Sequence, residues 1–286
     1  MNKVDAGIQL LRQIGSRLWE KMPTAPLEPS ATPIDVVIPI IAKDLDILPL
    51  CLQGVRQNVR QHVKDIYVVA PPDAAILDFC QRERLQFVDE STVLHCSPRD
   101  IGLQITLADG HTVDRSGWFF QQLLKLSGNI GTCDYYLTID ADHILLQPHV
   151  FLTADETPVF YMSDECNTPY YAHMRRLMHT WFCAPFSYVD HKMLFSKREL
   201  ARLRQRIEAL HPGKSWTEAI LATYDRSQTS GFSEFETYGS FVRRKVRRPW
   251  CHLKLAYSSL ADYASLHRQY ASQYHCVTFP CYLKSK

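Results

Sequence analysis

Residues 133–146 read CDYYLTIDADHILL, and the fold turns on how that stretch is read. Five mostly apolar residues, YYLTI at 135–139, make a buried strand that delivers Asp140, Ala141 and Asp142 to its carboxyl end. Ligands of open α/β sheets bind beyond that end of the strands. Two carboxylates at i and i+2 beside a buried strand are costly unless a cation compensates them. A divalent ion with hard oxygen ligands, bridging to a diphosphate, would supply that compensation. The competing reading is a solvated turn whose aspartates cap local backbone; the strand context favours the metal.

Upstream, IDVVIPII (34–41) is a nearly continuous apolar, β-branched run, which suits a strand covered on both faces in a parallel sheet. A helical stretch over 48–62 follows, then IYVVA (66–70), a helix over 74–84 and LQFVD (85–89). Strand–helix–strand at this spacing predicts right-handed crossovers. Residues 114–128 read as a helix with an apolar stripe leading into the Asp-Ala-Asp strand. Downstream, PVFYMSD (158–164) reads as another strand. Residues 196–211 are the clearest helix, with Ser196 as N-cap and Glu199 three positions on. The expectation is a single-domain α/β fold over 34–286, Rossmann-like, with a mixed, mainly parallel central sheet flanked by helices.

Composition sets limits on the rest. Of 286 residues 46% are hydrophobic and 22% charged, which excludes wholesale disorder and fibrous architectures. A formal charge of +2 gives no global steering toward nucleic acid or membrane. The nine cysteines include no Cys-x-x-Cys pair and point to reduced thiols in a cytoplasmic protein. His173, His179 and Cys183 cluster in sequence but lack the fourth ligand of a structural zinc site. Residues 1–22 hold an amphipathic helix in which Ile8, Leu11, Ile14 and Leu18 share a face, opposite Arg12, Arg17 and Lys21. It suits packing on its own domain or a partner; the other reading of residues 4–21 is attachment to a membrane surface on its inner, cytoplasmic face. Residues 23–33 carry three prolines between 24 and 33 and read as a linker.

VVIPI (36–40), GWFFQQLLKL (117–126) and YLTIDADHILL (136–146) resemble GT-A-fold glycosyltransferases. With HKMLF (191–195), SWTEAI (215–220) and SGFSEFETYGSF (230–241), the chain is similar over roughly 34–255 to bacterial sequences catalogued as a domain of unknown function with glycosyltransferase-like features. The resemblance implies a GT-A-like domain with a nucleotide-sugar-binding half (34–150) and an acceptor and catalytic half (151–286). It implies a nucleotide-sugar donor, a UDP-sugar being favoured, and Mn²⁺ or Mg²⁺ held by Asp142, with Asp140 on the metal or the ribose. Pro39 and Asp44 would embrace the nucleoside, with Asp89 a candidate for the same pocket. Arg115, Gln122 and Lys125 precede the motif, and the two cations are candidates for phosphate contacts. The acceptor would be a saccharide or lipid-linked hydroxyl, in bacterial surface polysaccharide or glycolipid synthesis.

For an inverting transfer a carboxylate must take the acceptor's proton. Glu234 is the first candidate and Glu236 the second; a Ser233–Glu236 capping pair is the structural alternative. His191 and His252 are candidates for the pyrophosphate or the metal shell. Tyr170, Tyr171, His173 and Trp181 suit stacking on acceptor rings or core packing. The run VRRKVRRPW (242–250) would meet a diphosphate, an anionic lipid-linked acceptor or a membrane surface, or remain a solvated edge. Three rivals stand beside the transferase. One is a haloacid-dehalogenase-type, Mg²⁺-dependent phosphohydrolase with Asp140 as nucleophile, although Ile144 stands where that motif usually has Thr or Val. The others are a non-catalytic nucleotide- or sugar-binding module and, least favoured, a nucleic-acid-binding protein.

Overall fold

The computed structural model describes residues 3–22, 24–107, 109–180, 185–280 and 283. Along the chain, α1 (Lys3–Glu20) precedes β1 (Ile34–Pro39), α2 (Leu48–Asn58), β2 (Val63–Ala70), α3 (Ala74–Glu83) and β3 (Gln86–Asp89). A short helix α4 (Pro98–Ile101) and the hairpin β4 (Gln104–Thr106) and β5 (Thr112–Asp114) lead into α5 (Ser116–Leu126), β6 (Tyr135–Ile139) and β7 (His143–Leu145). The second half supplies β8 (Val159–Met162), α6 (Thr168–Met178), β9 (Lys192–Ser196), α7 (Lys197–Leu210), α8 (Trp216–Ala222) and α9 (Glu234–Phe241). It closes with β10 (Val246–Pro249), β11 (His252–Lys254), α10 (Tyr263–Tyr270) and β12 (Cys276–Thr278).

Five strands form the central sheet in the order β3-β2-β1-β6-β9; the first four are parallel and β9 runs antiparallel to β6. Alternate residues of β1 explain its unbroken apolar run. Val37 joins a core with Phe119, Leu123, Phe195, Leu200 and Tyr238 on one side of the sheet. Val36 and Ile38 join another with Leu48, Leu52, Ile76 and Phe151. Helices therefore cover both faces, and a strand buried on both faces needs no polar alternation. Gly54 lets α2 lie directly on β7, since a Cβ there would sit 2.8 Å from Leu145 N. Ser196 Oγ accepts from Glu199 N at 3.5 Å as its sequence position predicts, but the Glu199 carboxylate turns to Arg202 instead of closing a capping box.

Two expectations change in the N-terminal segment. Residues 24–33 are not a free tether: Pro29 bridges Thr153, Ser30 N donates to Leu152 O, and Ala154 N donates to Glu28 O. Helix α1 does pack on its own domain, but by its polar side. Arg12 is buried and donates to Glu165 O at 2.6 Å and Tyr171 Oη at 2.9 Å, while Trp19 stacks on Phe186 at 5.1 Å. The apolar stripe faces outward. No helix among the described residues is long and apolar enough to cross a membrane.

Candidate active site

Strand order reverses between β1 and β6, which lead away from each other to β2 and to β9. The carboxyl ends of strands at such a reversal leave a crevice, because the loops after them diverge. A cleft of about 1040 Å³ opens there. Pro39 and Asp44 line one wall, the Asp140–Asp142 turn the floor, and α5, His191 and Glu234 the remainder. Arg115, Trp118, Gln122 and Lys125 recur along one side of α5 at helical spacing and all border the cleft.

The floor is a charge cluster built on Lys125, whose side chain is only 2% exposed. Its Nζ donates to Asp140 Oδ1 at 2.6 Å and to Glu234 Oε1 at 2.8 Å. Burial alone would lower the Lys125 pKa, but the two carboxylates overcome it and raise it, so the ammonium stays charged. Burial likewise opposes ionisation of Asp140, yet Lys125 and His191 hold its carboxyl well below the usual range. For Asp142 the pull of His191 and Lys125 is too weak to win. Burial and the Asp140 charge push it up to about 6, and no side chain among the described residues bonds or ion-pairs its carboxylate.

His191 completes the arrangement. The β6–β9 register sets Ile139 against Lys192, which brings Asp140 and His191 together across the pair. Asp140 N donates to His191 O at 2.9 Å, and His191 Nδ1 lies 3.1 Å from Asp140 Oδ2. His191 Nε2 is buried with no hydrogen-bond partner. Ligand atoms of Asp140, Asp142 and His191 lie within 4.8 Å of one another. Two carboxylates and an imidazole with an orphaned nitrogen fit Mn²⁺ or Mg²⁺, with the nitrogen donor favouring Mn²⁺.

Glu234 begins α9 behind the N-cap Ser233, whose Oγ accepts from Glu236 N. Burial raises the Glu234 carboxyl, with Lys125 opposing. Gln122, with its amide nitrogen turned to the carboxylate, donates to Glu234 Oε2 and accepts from Trp118 Nε1 at 3.1 Å.

Several assignments from sequence are corrected. Glu236 faces away from the cleft: Oε1 accepts from Tyr171 Oη at 2.7 Å and Ser187 Oγ at 2.8 Å, and Oε2 from Tyr188 N at 3.2 Å. Successive helix positions two apart diverge, and the cap places Glu234, not Glu236, at the cleft. Glu236→Ala should therefore cost about 3 kcal/mol in urea unfolding by stranding three donors, two of them buried, without altering metal binding. Asp89 caps the turn after β3, accepting from Ser91 N and Oγ; its neighbour Glu90 borders the cleft instead. His252 stands behind His191, not beside Asp142. There Thr278 Oγ1 bonds His252 Nε2 and His143 Nδ1, both at 2.6 Å.

His143, His252 and Cys276 have ligand-like spacing, but Lys192 Nζ reaches into that group, 3.1 Å from His143 Nε2 and 3.5 Å from Cys276 Sγ. Asp190, 2.6 Å away, outweighs burial and raises the Lys192 pKa. The cluster thus carries its own cation. His173 is buried, its Nε2 3.1 Å from Ile220 O, and burial depresses its pKa to about 4. Tyr170 borders the cleft, while Tyr171 joins Arg12 to Glu236. Trp181 and Cys183 lie outside the described residues. Trp118 was missed, although its position one turn before Gln122 is a readable signal. Its ring lies 4.3 Å from the Arg115 guanidinium.

Fold and cleft define a mixed α/β protein with a cluster of charged side chains, Lys125, Asp140, Asp142, His191 and Glu234, at its topological switch point. The chain belongs to the family of unknown function (DUF6492), whose model matches residues 31–278. No curated protein matches it.

Proposed function

We propose that the protein is a metal-dependent glycosyltransferase of GT-A-like architecture that moves a sugar from a nucleotide-sugar, a UDP-sugar by preference, to a hydroxyl of a saccharide or lipid-linked acceptor. The observation that carries this reading is the half-buried Asp142 carboxylate with no ion-pair partner among the described residues, next to Asp140 and the free Nε2 of His191. Asp140, Asp142 and His191 would hold Mn²⁺ or Mg²⁺. When bound, the ion supplies charge stabilisation to the departing diphosphate.

The chain's own groups account for the rest of the transfer. Pro39 and Asp44 bound the end of the cleft suited to the nucleoside, and Arg115 presents a guanidinium to phosphate. The Trp118 indole beneath Arg115 fixes that guanidinium, and the Arg115 Nε bond to Thr229 O at 2.8 Å ties it to the loop before α9. Glu234 is the base: its raised pKa and position on the cleft wall suit removal of the acceptor proton as that oxygen bonds the anomeric carbon. The C–O bond to the diphosphate breaks on the opposite side, which inverts the configuration. Lys125 pairs with both Glu234 and Asp140 and favours the charged form of each against burial.

Thermal unfolding with UDP, GDP or CMP and Mn²⁺ tests the reading. A nucleotide should raise Tm only with metal present; no response to any nucleotide refutes it. Asp142 also sets a pH dependence. A carboxyl raised to about 6 must lose its proton for the metal to bind, so Mn²⁺ affinity strengthens as pH rises through that value. By calorimetry it should be about tenfold weaker at about pH 5 than at about pH 7.5.

A further inference from the structure

Two features of the sequence have no part in the cleft, the amphipathic segment 4–21 and the basic run 242–250, and the fold sets them side by side. Helix α1 packs along β10; Cys251 N donates to Glu20 Oε1 at 3.2 Å, and Arg248 donates to Ala25 O. The helix is held by one side only. Arg12 and Ser16 are buried, and Gly15 and Trp19 meet the Phe186 ring. The other side presents Ile8, Leu10, Leu11, Ile14, Leu18 and Met22 to solvent, with Leu11 71% and Leu18 63% exposed. A surface helix of a globular protein ordinarily turns such a stripe to the core.

The charges around the stripe are mostly basic. Arg17 and Lys21 are exposed along one edge of it, and Arg243 and Arg247 are exposed on the neighbouring strand and its approach. The one acid between positions 6 and 22, Glu20, is tied to Ser16 and Cys251. We infer that α1 and β10 together form a docking face for an anionic lipid bilayer. The helix lies flat with its stripe at the headgroup–acyl boundary, and the arginines and lysine lie over anionic headgroups. A symmetric contact with a second copy would oppose like charges. A protein partner would be expected to find aromatic anchors, and the one aromatic of α1, Trp19, is turned inward.

The test is co-sedimentation of the full chain with vesicles of phosphatidylcholine, alone and with added phosphatidylglycerol, at low and high salt. Binding is expected only to the anionic vesicles, weakening with salt. Leu11→Glu with Leu18→Glu should lower the partition coefficient at least about tenfold, and Arg17→Gln or Lys21→Gln roughly fivefold each. These positions are exposed, so circular dichroism melts should match the parent protein. Three results overturn the proposal: no binding to anionic vesicles, binding unchanged in the Leu11→Glu/Leu18→Glu protein, or a lipid-free dimer that those substitutions dissociate. None of the arms uses nucleotide or metal, so failure here is distinct from failure of the transferase reading.

Discussion

Glu234→Gln should reduce sugar transfer by about 10²–10⁴-fold while leaving the nucleotide- and Mn²⁺-induced rise in Tm in place. The amide keeps the shape of the carboxylate and retains an oxygen for Lys125 Nζ, now 2.8 Å from Oε1, but it does not accept a proton. The Asp140–Asp142–His191 set is unchanged by the substitution, so binding and chemistry separate. Transfer at the parental rate would remove Glu234 from the base role, and a loss of nucleotide binding would make it a binding group instead. Steady-state assays beside thermal shifts distinguish these outcomes.

Lys125→Met carries the largest expected effect on stability. Methionine fills similar space but leaves Asp140 and Glu234 without their shared ammonium in a site where Lys125 and Glu234 are each 2% exposed. Stranding buried carboxylates in this way costs about 3–5 kcal/mol. The sign of the pH dependence follows from the shifts. In the parent, Asp140 is held below its unfolded value of ~3.9, so its contribution is present above that value and is lost as pH falls toward the folded one. In the variant both carboxyls would be raised by burial, so the fold is favoured by protonating them. The deficit relative to the parent should be largest near neutral pH and shrink as pH falls. Urea unfolding at several pH values measures it; a deficit independent of pH would contradict the electrostatic account.

The central sheet was legible because its inner strands are buried on both faces. A chain such as 34–41 then has no polar positions to confuse the reading, and the helices between strands show their stripes plainly. The place of the Asp-Ala-Asp turn, at the carboxyl end of β6 and on the cleft, was legible for the same reason. What escaped depends on register and distance. His191 and His252 look alike in sequence; only the antiparallel pairing of β9 with β6 brings His191 to Asp140, and nothing local encodes that alignment. Glu234 and Glu236 were separable only once the helix start was known. Strands β7 and β12 are three residues long, too short for periodicity to register. The stripe of α1 was seen, but amphipathicity does not say which side meets the protein, and here Arg12 and Trp19 prevail because Glu165, Tyr171 and Phe186 give them specific partners.

The single ammonium between Asp140 and Glu234 has an evolutionary corollary. Side chains that share one partner are energetically coupled, and changes at them do not add. A lineage that loses either acid leaves the lysine paired with the other alone, and one that loses the lysine leaves two acids in want of it. Positions 125, 140 and 234, drawn from a helix, a strand end and a distant helix start, therefore form one heritable unit. Among relatives they should be retained together or replaced together.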